Sequence, residues 1–303
     1  MILNRKNIFK QFNWLKNKKI KFIISADYDG LVCASFLSHH LKWQLEGYYN
    51  METIWVSKSA IENKNNLVWV DLNILSKLGK AIGGHITLLN SDIPKGLETS
   101  CNPNVIKKLT NTDFNKKFPF STLIFLLWLF NYKVPKNDIA KFLILHSDST
   151  WMKCQNYNKN VKNWIGSLPD YQWDNLFRNI DTIDFEKSID TNFYPLLISI
   201  GAYSGFSKLK SKHLNIQSRE FKFNPDWDDD IILNLFDLFA KYLSWKPPEL
   251  PNIISKIKGK KFNANLLDIE KTGLQNFIIQ NKIFSYAFTS PKTLKYTNFK
   301  TIK

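Results

Sequence analysis

The stretch Lys21-Phe22-Ile23-Ile24-Ser25-Ala26-Asp27-Tyr28-Asp29-Gly30 decides the fold. Its first half, KFIIS, is a short apolar run of the kind expected for a buried parallel strand. The second half puts two acids on one tight turn, and Gly30 eases that turn and the start of a helix from Leu31 to about Tyr48. The pattern recurs downstream. Thr53–Val56 reads as a second strand, followed by a polar segment over 57–66. Leu67–Val70 reads as a third strand that runs straight into Asp71. Ile74–Ile82 reads as a helix and His85–Leu89 as a fourth strand, ending in Asn90-Ser91-Asp92. An apolar helix near 120–131 and an apolar segment over 137–147 lead to Asp148.

Strands alternating with helices predict an α/β domain with a mostly parallel sheet covered by helices on both faces. In such sheets ligands bind beyond the carboxyl ends of the strands. Acids at several strand ends converge on one spot and repel one another unless a cation joins them. The second half of the chain reads differently. It has helical spacing over 228–243, the rigid Pro247-Pro248-Glu249-Leu250-Pro251, and alternating segments to the end, which predict a smaller α+β domain. The boundary is placed at 185/186, giving domains 1–185 and 186–303.

The chain has 303 residues, of which 42 are Lys or Arg and 26 Asp or Glu, a net charge of +16. A protein this basic often meets a polyanion, most commonly nucleic acid or a nucleotide. A Lys- and Asn-rich composition also arises from an AT-rich coding sequence, and these lysines are scattered. Cys33, Cys101 and Cys154 are far apart and form no CxxC pair, which argues against disulfides and a zinc knuckle and fits a reducing, cytoplasmic setting. Met1–Phe12 has no apolar core of a signal peptide. The most apolar run, Phe118–Phe130, is well short of the ~20 residues a bilayer span needs.

Asp27-x-Asp29-Gly30 after a strand lets each carboxylate bind one of two neighbouring metals, and Asp71 from the next strand can bridge them. Such a pair suits two-metal hydrolysis, and hard oxygen ligands favour Mg²⁺ or Mn²⁺. The same four residues also occur in a solvated turn or a calcium-loop fragment.

The order of motifs resembles the DHH superfamily of phosphoesterases, which includes RecJ-like exonucleases, oligoribonucleases and family II pyrophosphatases. Ile24–Leu31 with Ala34-Ser35 resembles its first motif and Val68–Asp71 its second. His85–Asp92 stands where the third, name-giving motif is expected. Cys101-Asn102-Pro103-Asn104 and Phe118–Thr122 resemble the segments after it, and Leu145-His146-Ser147-Asp148 the fourth. The likeness covers roughly residues 20–165. It implies catalytic metal ligands at Asp27, Asp29, Asp71 and Asp148, with Asp92 as an auxiliary ligand. It implies substrate contacts from Asn90, Ser91 and Asn102. The densest basic run, with Lys208, Lys210 and Lys212, reads either as phosphate contacts or as a solvated loop. Departures stand beside it. Asn90-Ser91-Asp92 replaces Asp-His-His, Ser25 and Ile23 replace an extra ligand before the paired acids, and the C-terminal GGH signature has no counterpart. Gly83-Gly84-His85 has those letters but reads as lying just before a strand, with His85 at its far end.

His39-His40 reads as structural, His146 as a packed residue or a replacement ligand, and His213 as solvated. The ten Trp residues read mainly as packing, with base stacking as the alternative. Two functions follow. One is a Mn²⁺- or Mg²⁺-dependent phosphoesterase or nuclease acting on single-stranded nucleic acid or short nucleotides. The other is an inactive protein of the same fold that binds nucleic acid or a protein partner. Neither involves a membrane.

Overall fold

In the computed structural model the described residues are 1–75, 79–89, 92–203 and 209–299. They form two compact units, each discontinuous in sequence. The first contains Met1–Lys6, Ala26–Leu41 and Pro119–Pro248; the second contains Asn7–Ser25, Lys42–Phe118 and Glu249–Lys303. Among the described residues no helix is long and apolar enough to cross a membrane.

The second unit carries the sheets. Its strands are β1 (Lys21–Ser25), β2 (Gln44–Tyr49), β3 (Thr53–Ser57), β4 (Val68–Val70), β5 (Lys80–Ile82), β6 (Ser100–Cys101) and β7 (Ile253–Lys258). They form one sheet in the order β6-β5-β4-β1-β2-β3-β7. The pairs β1–β2, β1–β4, β4–β5 and β5–β6 are parallel, while β2–β3 and β3–β7 are antiparallel. The expected α/β class with a mostly parallel sheet is therefore present. The apolar run Phe22-Ile23-Ile24 is fully buried, as a central parallel strand requires. A second, antiparallel sheet near the C-terminus has the order β8-β10-β9, from β8 (Lys260–Asn265), β9 (Ile283–Ser290) and β10 (Thr293–Asn298). Helices Leu266–Thr272 and Leu274–Gln280 pack Ile269, Leu274 and Ile278 against Tyr286, Phe288 and Leu294.

Two expectations about elements are corrected. The first helix runs Tyr28–Leu41, and the residues read as its end form β2. Lys42 adopts φ +60°, a left-handed conformation that stops a helix. Gly47 sits against β3 so closely that a Cβ would collide with the Trp55 carbonyl oxygen. The second correction matters more. The fourth strand is not His85–Leu89 but Lys80–Ile82, at the end of the stretch read as a helix. Of the apolar HITLL run, only Leu88 makes an isolated bridge, to Thr110. Ala81 and Ile82 suffice for the strand because it pairs with the equally short β4 and places two small apolar side chains in the core.

The first unit is helical, with principal helices Tyr28–Leu41, Thr122–Phe130, Asp138–His146, Asn158–Ser167, Ile183–Asn192 and Asp229–Leu243. Tyr28–Leu41 packs against Thr122–Phe130 and Asp229–Leu243. Phe36 on that helix lies edge-on to Tyr132 and Trp245. His39 and His40 belong to the same packing: His39 Nδ1 accepts the Lys246 N–H at 2.9 Å, and His40 stacks on Tyr132.

Two glycines give opposite expectations. A Cβ on Gly83 would lie 2.5 Å from the Asp71 carbonyl oxygen, whereas one on Gly166 in helix Asn158–Ser167 would meet nothing within 4 Å. Gly83→Ala should cost ~1–3 kcal/mol in urea denaturation, and Gly166→Ala should add up to about 1 kcal/mol. Equal effects of the two would contradict the tight turn after β5.

Candidate functional site

In the second unit, β4 ends at Val70 and the next residue is Asp71, 2% exposed and with φ +76°. Its N–H donates to Ile82 O at 2.7 Å, which ties it to the end of β5. Asp is one of the few residues besides glycine that tolerates this backbone conformation. Gly83 and Gly84 follow. Gly83 lets the chain pass against the Asp71 carbonyl, and Gly84 passes within a would-be Cβ clash of Phe118. The turn returns His85 toward the strand ends, where its Nε2 lies 2.8 Å from Asp71 Oδ1. Asn102 and Asn104 hold the turn. Asn104 Nδ2 donates to the Gly84 carbonyl at 2.6 Å, and both side chains donate to Ile86 O. Asn102 also caps the short helix Pro103–Ile106 and is fully buried.

His85 thus stands beyond the carboxyl end of β5, next to Asp71, and not at the far end of a strand. Asn90 and Ser91 lie outside the described residues, and Asp92 is exposed. The signal that could have found His85 is the glycine pair before it. Two adjacent glycines after an apolar pair mark a close backbone approach rather than a strand start.

In the first unit, Asp27 is half-buried, and its Oδ1 accepts the Gly30 N–H at 3.0 Å, as a helix N-cap does. Asp29 is 3% exposed. Its Oδ2 accepts the Thr122 N–H at 2.8 Å, and its Oδ1 accepts the Ser147 hydroxyl at 2.5 Å and the Leu123 N–H at 3.3 Å. Thr122 and Leu123 open a helix, so its free N–H groups and dipole stabilise the carboxylate. Asp148 sits in a left-handed turn, φ +51°, and its Oδ2 forms an ion pair with Lys153 Nζ.

A segment the sequence reading missed completes this cluster. Residues 221–223 lie beside the first motif. Tyr28 N–H donates to Phe221 O at 2.9 Å and Phe223 N–H to Ala26 O at 3.3 Å, with Asp27 bridging Lys222. Glu220, the residue before, is half-buried, but its Oε1 is sealed from solvent and has no hydrogen-bond partner among the described residues. Burial, reinforced by the charges of Asp148, Asp27 and Asp29, pushes its carboxyl well above the usual range, although Lys153 pulls the other way. Burial alone would lower the Lys153 ammonium's pKa; the charges of Asp148, Glu220 and Asp29 outweigh it and hold that pKa above its ordinary value. Nothing in the spacing of Ser218-Arg219-Glu220-Phe221 marks Glu220 in advance.

The remaining candidates lie elsewhere. His146 is buried edge-on to Tyr28 and Phe193, and burial lowers its pKa to about 3. Lys208 lies outside the described residues. Lys210 is exposed and bridges Gln217 through its backbone. Lys212 pairs with Asp181 at 3.0 Å. His213, exposed, places Nε2 3.2 Å from Asp181 O.

A scan of family models, a search of curated proteins and a search of solved structures each found no match for this chain.

The raised Glu220 carboxyl has a signed consequence. Above about pH 4.5 the unfolded chain releases this proton while the folded chain retains it, so stability falls as pH rises toward the folded value. Glu220→Gln keeps the shape without the charge. In urea denaturation it should match the natural protein near pH 4 and exceed it near pH 8, by at most ~1.4 kcal/mol per pH unit. A difference no larger at pH 8 than at pH 4 would contradict the cluster.

Proposed function

We propose that this chain is a DHH-like phosphoesterase acting on phosphodiesters of single-stranded nucleic acid or short nucleotides. The observation that carries the reading is His85 Nε2 at 2.8 Å from Asp71 Oδ1, beyond adjacent strand ends. An imidazole and a carboxylate that converge at the carboxyl edge of a parallel sheet occupy the usual place of a ligand site. The pair fits a divalent ion, because it combines a hard oxygen with a nitrogen donor, as Mn²⁺ accepts. Asp71 and His85 would hold it. Such an ion, when bound, lowers the pKa of a bound water and draws charge from a phosphoryl oxygen.

The chain's own residues would do the rest. Before an ion binds, Asp71, fixed by its Ile82 hydrogen bond, holds the His85 ring through Nε2, and that nitrogen would pass to the ion. Asn102 and Asn104 keep the Gly84–Ile86 backbone from relaxing. The net charge of +16 supports a polyanionic substrate by raising its local concentration and association rate.

A second reading, an inactive protein of this fold that binds nucleic acid or a protein partner, is favoured by one observation. Asp148, the fourth-motif acid, is already paired with Lys153.

The assay is turnover of short single-stranded DNA, RNA and dinucleotides with Mn²⁺. The natural protein should cleave at least one of them, and Asp71→Ala and His85→Ala should each lose at least roughly 100-fold, beyond the loss a supporting contact causes. Turnover that survives Asp71→Ala would overturn the proposal. Retained binding without turnover would establish the second reading.

A further inference from the structure

We infer that the Lys153 ammonium is the resident cation of the Asp148 acids, standing where the DHH resemblance assigns a second divalent ion. The inference rests on the motif order for the identity of that place. The chemistry comes from the first unit alone.

Asp27, Asp29, Asp148 and Glu220 lie on segments of this unit that touch: Tyr28 N–H donates to Phe221 O at 2.9 Å, the Ser147 hydroxyl donates to Asp29 Oδ1 at 2.5 Å, and Ser149 Oγ meets Ser218 Oγ. Four carboxyl groups in one place need compensation. Two are served by backbone donors: Asp27 by Gly30 N–H, and Asp29 by Thr122 and Leu123 N–H with the Ser147 hydroxyl. Asp148 and Glu220 remain. For Asp148 the compensation is Lys153 Nζ, and the side chains of the pair are only 22% and 23% exposed. Glu220 Oε1 has no donor among the described residues.

Lys153 is built into this position. It lies on helix Thr150–Asn156, five residues after Asp148, and Ser149 between them is also left-handed at φ +52°. Thr150 Oγ1 donates to Ser147 O at 2.8 Å, and Ser149 Oγ meets Ser218 Oγ. Those contacts fix the turn that brings the Asp148 carboxylate and the Lys153 stem together.

A divalent ion at Asp148 would have to sit within a few Å of this ammonium, and like charges so close in a partly desolvated site repel strongly. The residues present therefore do not fit a second divalent ion at Asp148. The single ammonium does its electrostatic work at Asp148 Oδ2. Removal of the ammonium leaves Asp148 and Glu220 as hard oxygen donors without a counter-charge, the composition that takes Mg²⁺ or Mn²⁺.

The test counts bound Mn²⁺ by titration calorimetry and by electron paramagnetic resonance on the full chain. Lys153→Met keeps the apolar stem and Lys153→Ala removes it, and circular dichroism verifies folding of both. Each folded variant should bind one Mn²⁺ more than the natural protein, and adding Asp148→Asn should abolish the extra ion. If neither variant folds, Asp148→Asn in the natural background decides: unchanged Mn²⁺ stoichiometry supports the inference, and a lost ion overturns it. Folded Lys153→Met or Lys153→Ala with the natural stoichiometry would also overturn it. The reading under Proposed function fails separately, if the natural protein binds no Mn²⁺ that His85→Ala removes. An extra ion in Lys153→Met would still support the role of Lys153.

Discussion

A buried carboxylate must find donors or a counter-charge, because desolvation without compensation costs several kcal/mol. Local structure around the motif acids is arranged by that constraint. Asp29 is buried deeper than Asp27 and Asp148, and it is met by the opening N–H groups of helix Thr122–Phe130. That helix is almost wholly apolar, and with Ser121 capping Ile124 its Thr122 and Leu123 N–H groups would otherwise lack these acceptors. Asp29 and the helix therefore stabilise one another. Asp148 finds its counter-charge in Lys153, while burial and the neighbouring acids push the Glu220 carboxyl well above the usual range.

In the second unit the same requirement meets a different solution. Asp71 is nearly inaccessible, and its positive φ turns the chain directly after β4. The glycine pair after β5 allows the close backbone approach that delivers His85 to it. Two buried asparagines pin that turn. A nitrogen donor beside a carboxylate, held by backbone geometry, is the pair to which the proposed function assigns a metal ion. An ammonium locked on Asp148 is not. The proposed division of labour, one open position and one filled by the chain itself, follows from these two pairs.

Much of the framework is legible from residue order. Phe22-Ile23-Ile24 and Val68-Trp69-Val70 are apolar runs long enough to mark central strands, and acids follow both. β2 was hidden because Trp43, Leu45 and Tyr48 continue an apolar pattern past Leu41, and only the left-handed Lys42 separates helix from strand. β5 was hidden because two buried residues carry no periodicity, while the longer HITLL run nearby does. That error placed His85 at the far end of a strand instead of beside Asp71. Lys153 and Glu220 depend on tertiary placement: one is a turn of helix beyond Asp148, and the other arrives on a segment that pairs with the first motif from about 190 residues away.

Anomalous diffraction from crystals grown with Mn²⁺ tests the central claim most directly. The account predicts a Mn²⁺ peak at His85 Nε2 and Asp71, with none at Asp148, where Lys153 Nζ remains paired to Oδ2. A peak at Asp148 with the Lys153 side chain turned away, or no peak beside His85, would contradict it.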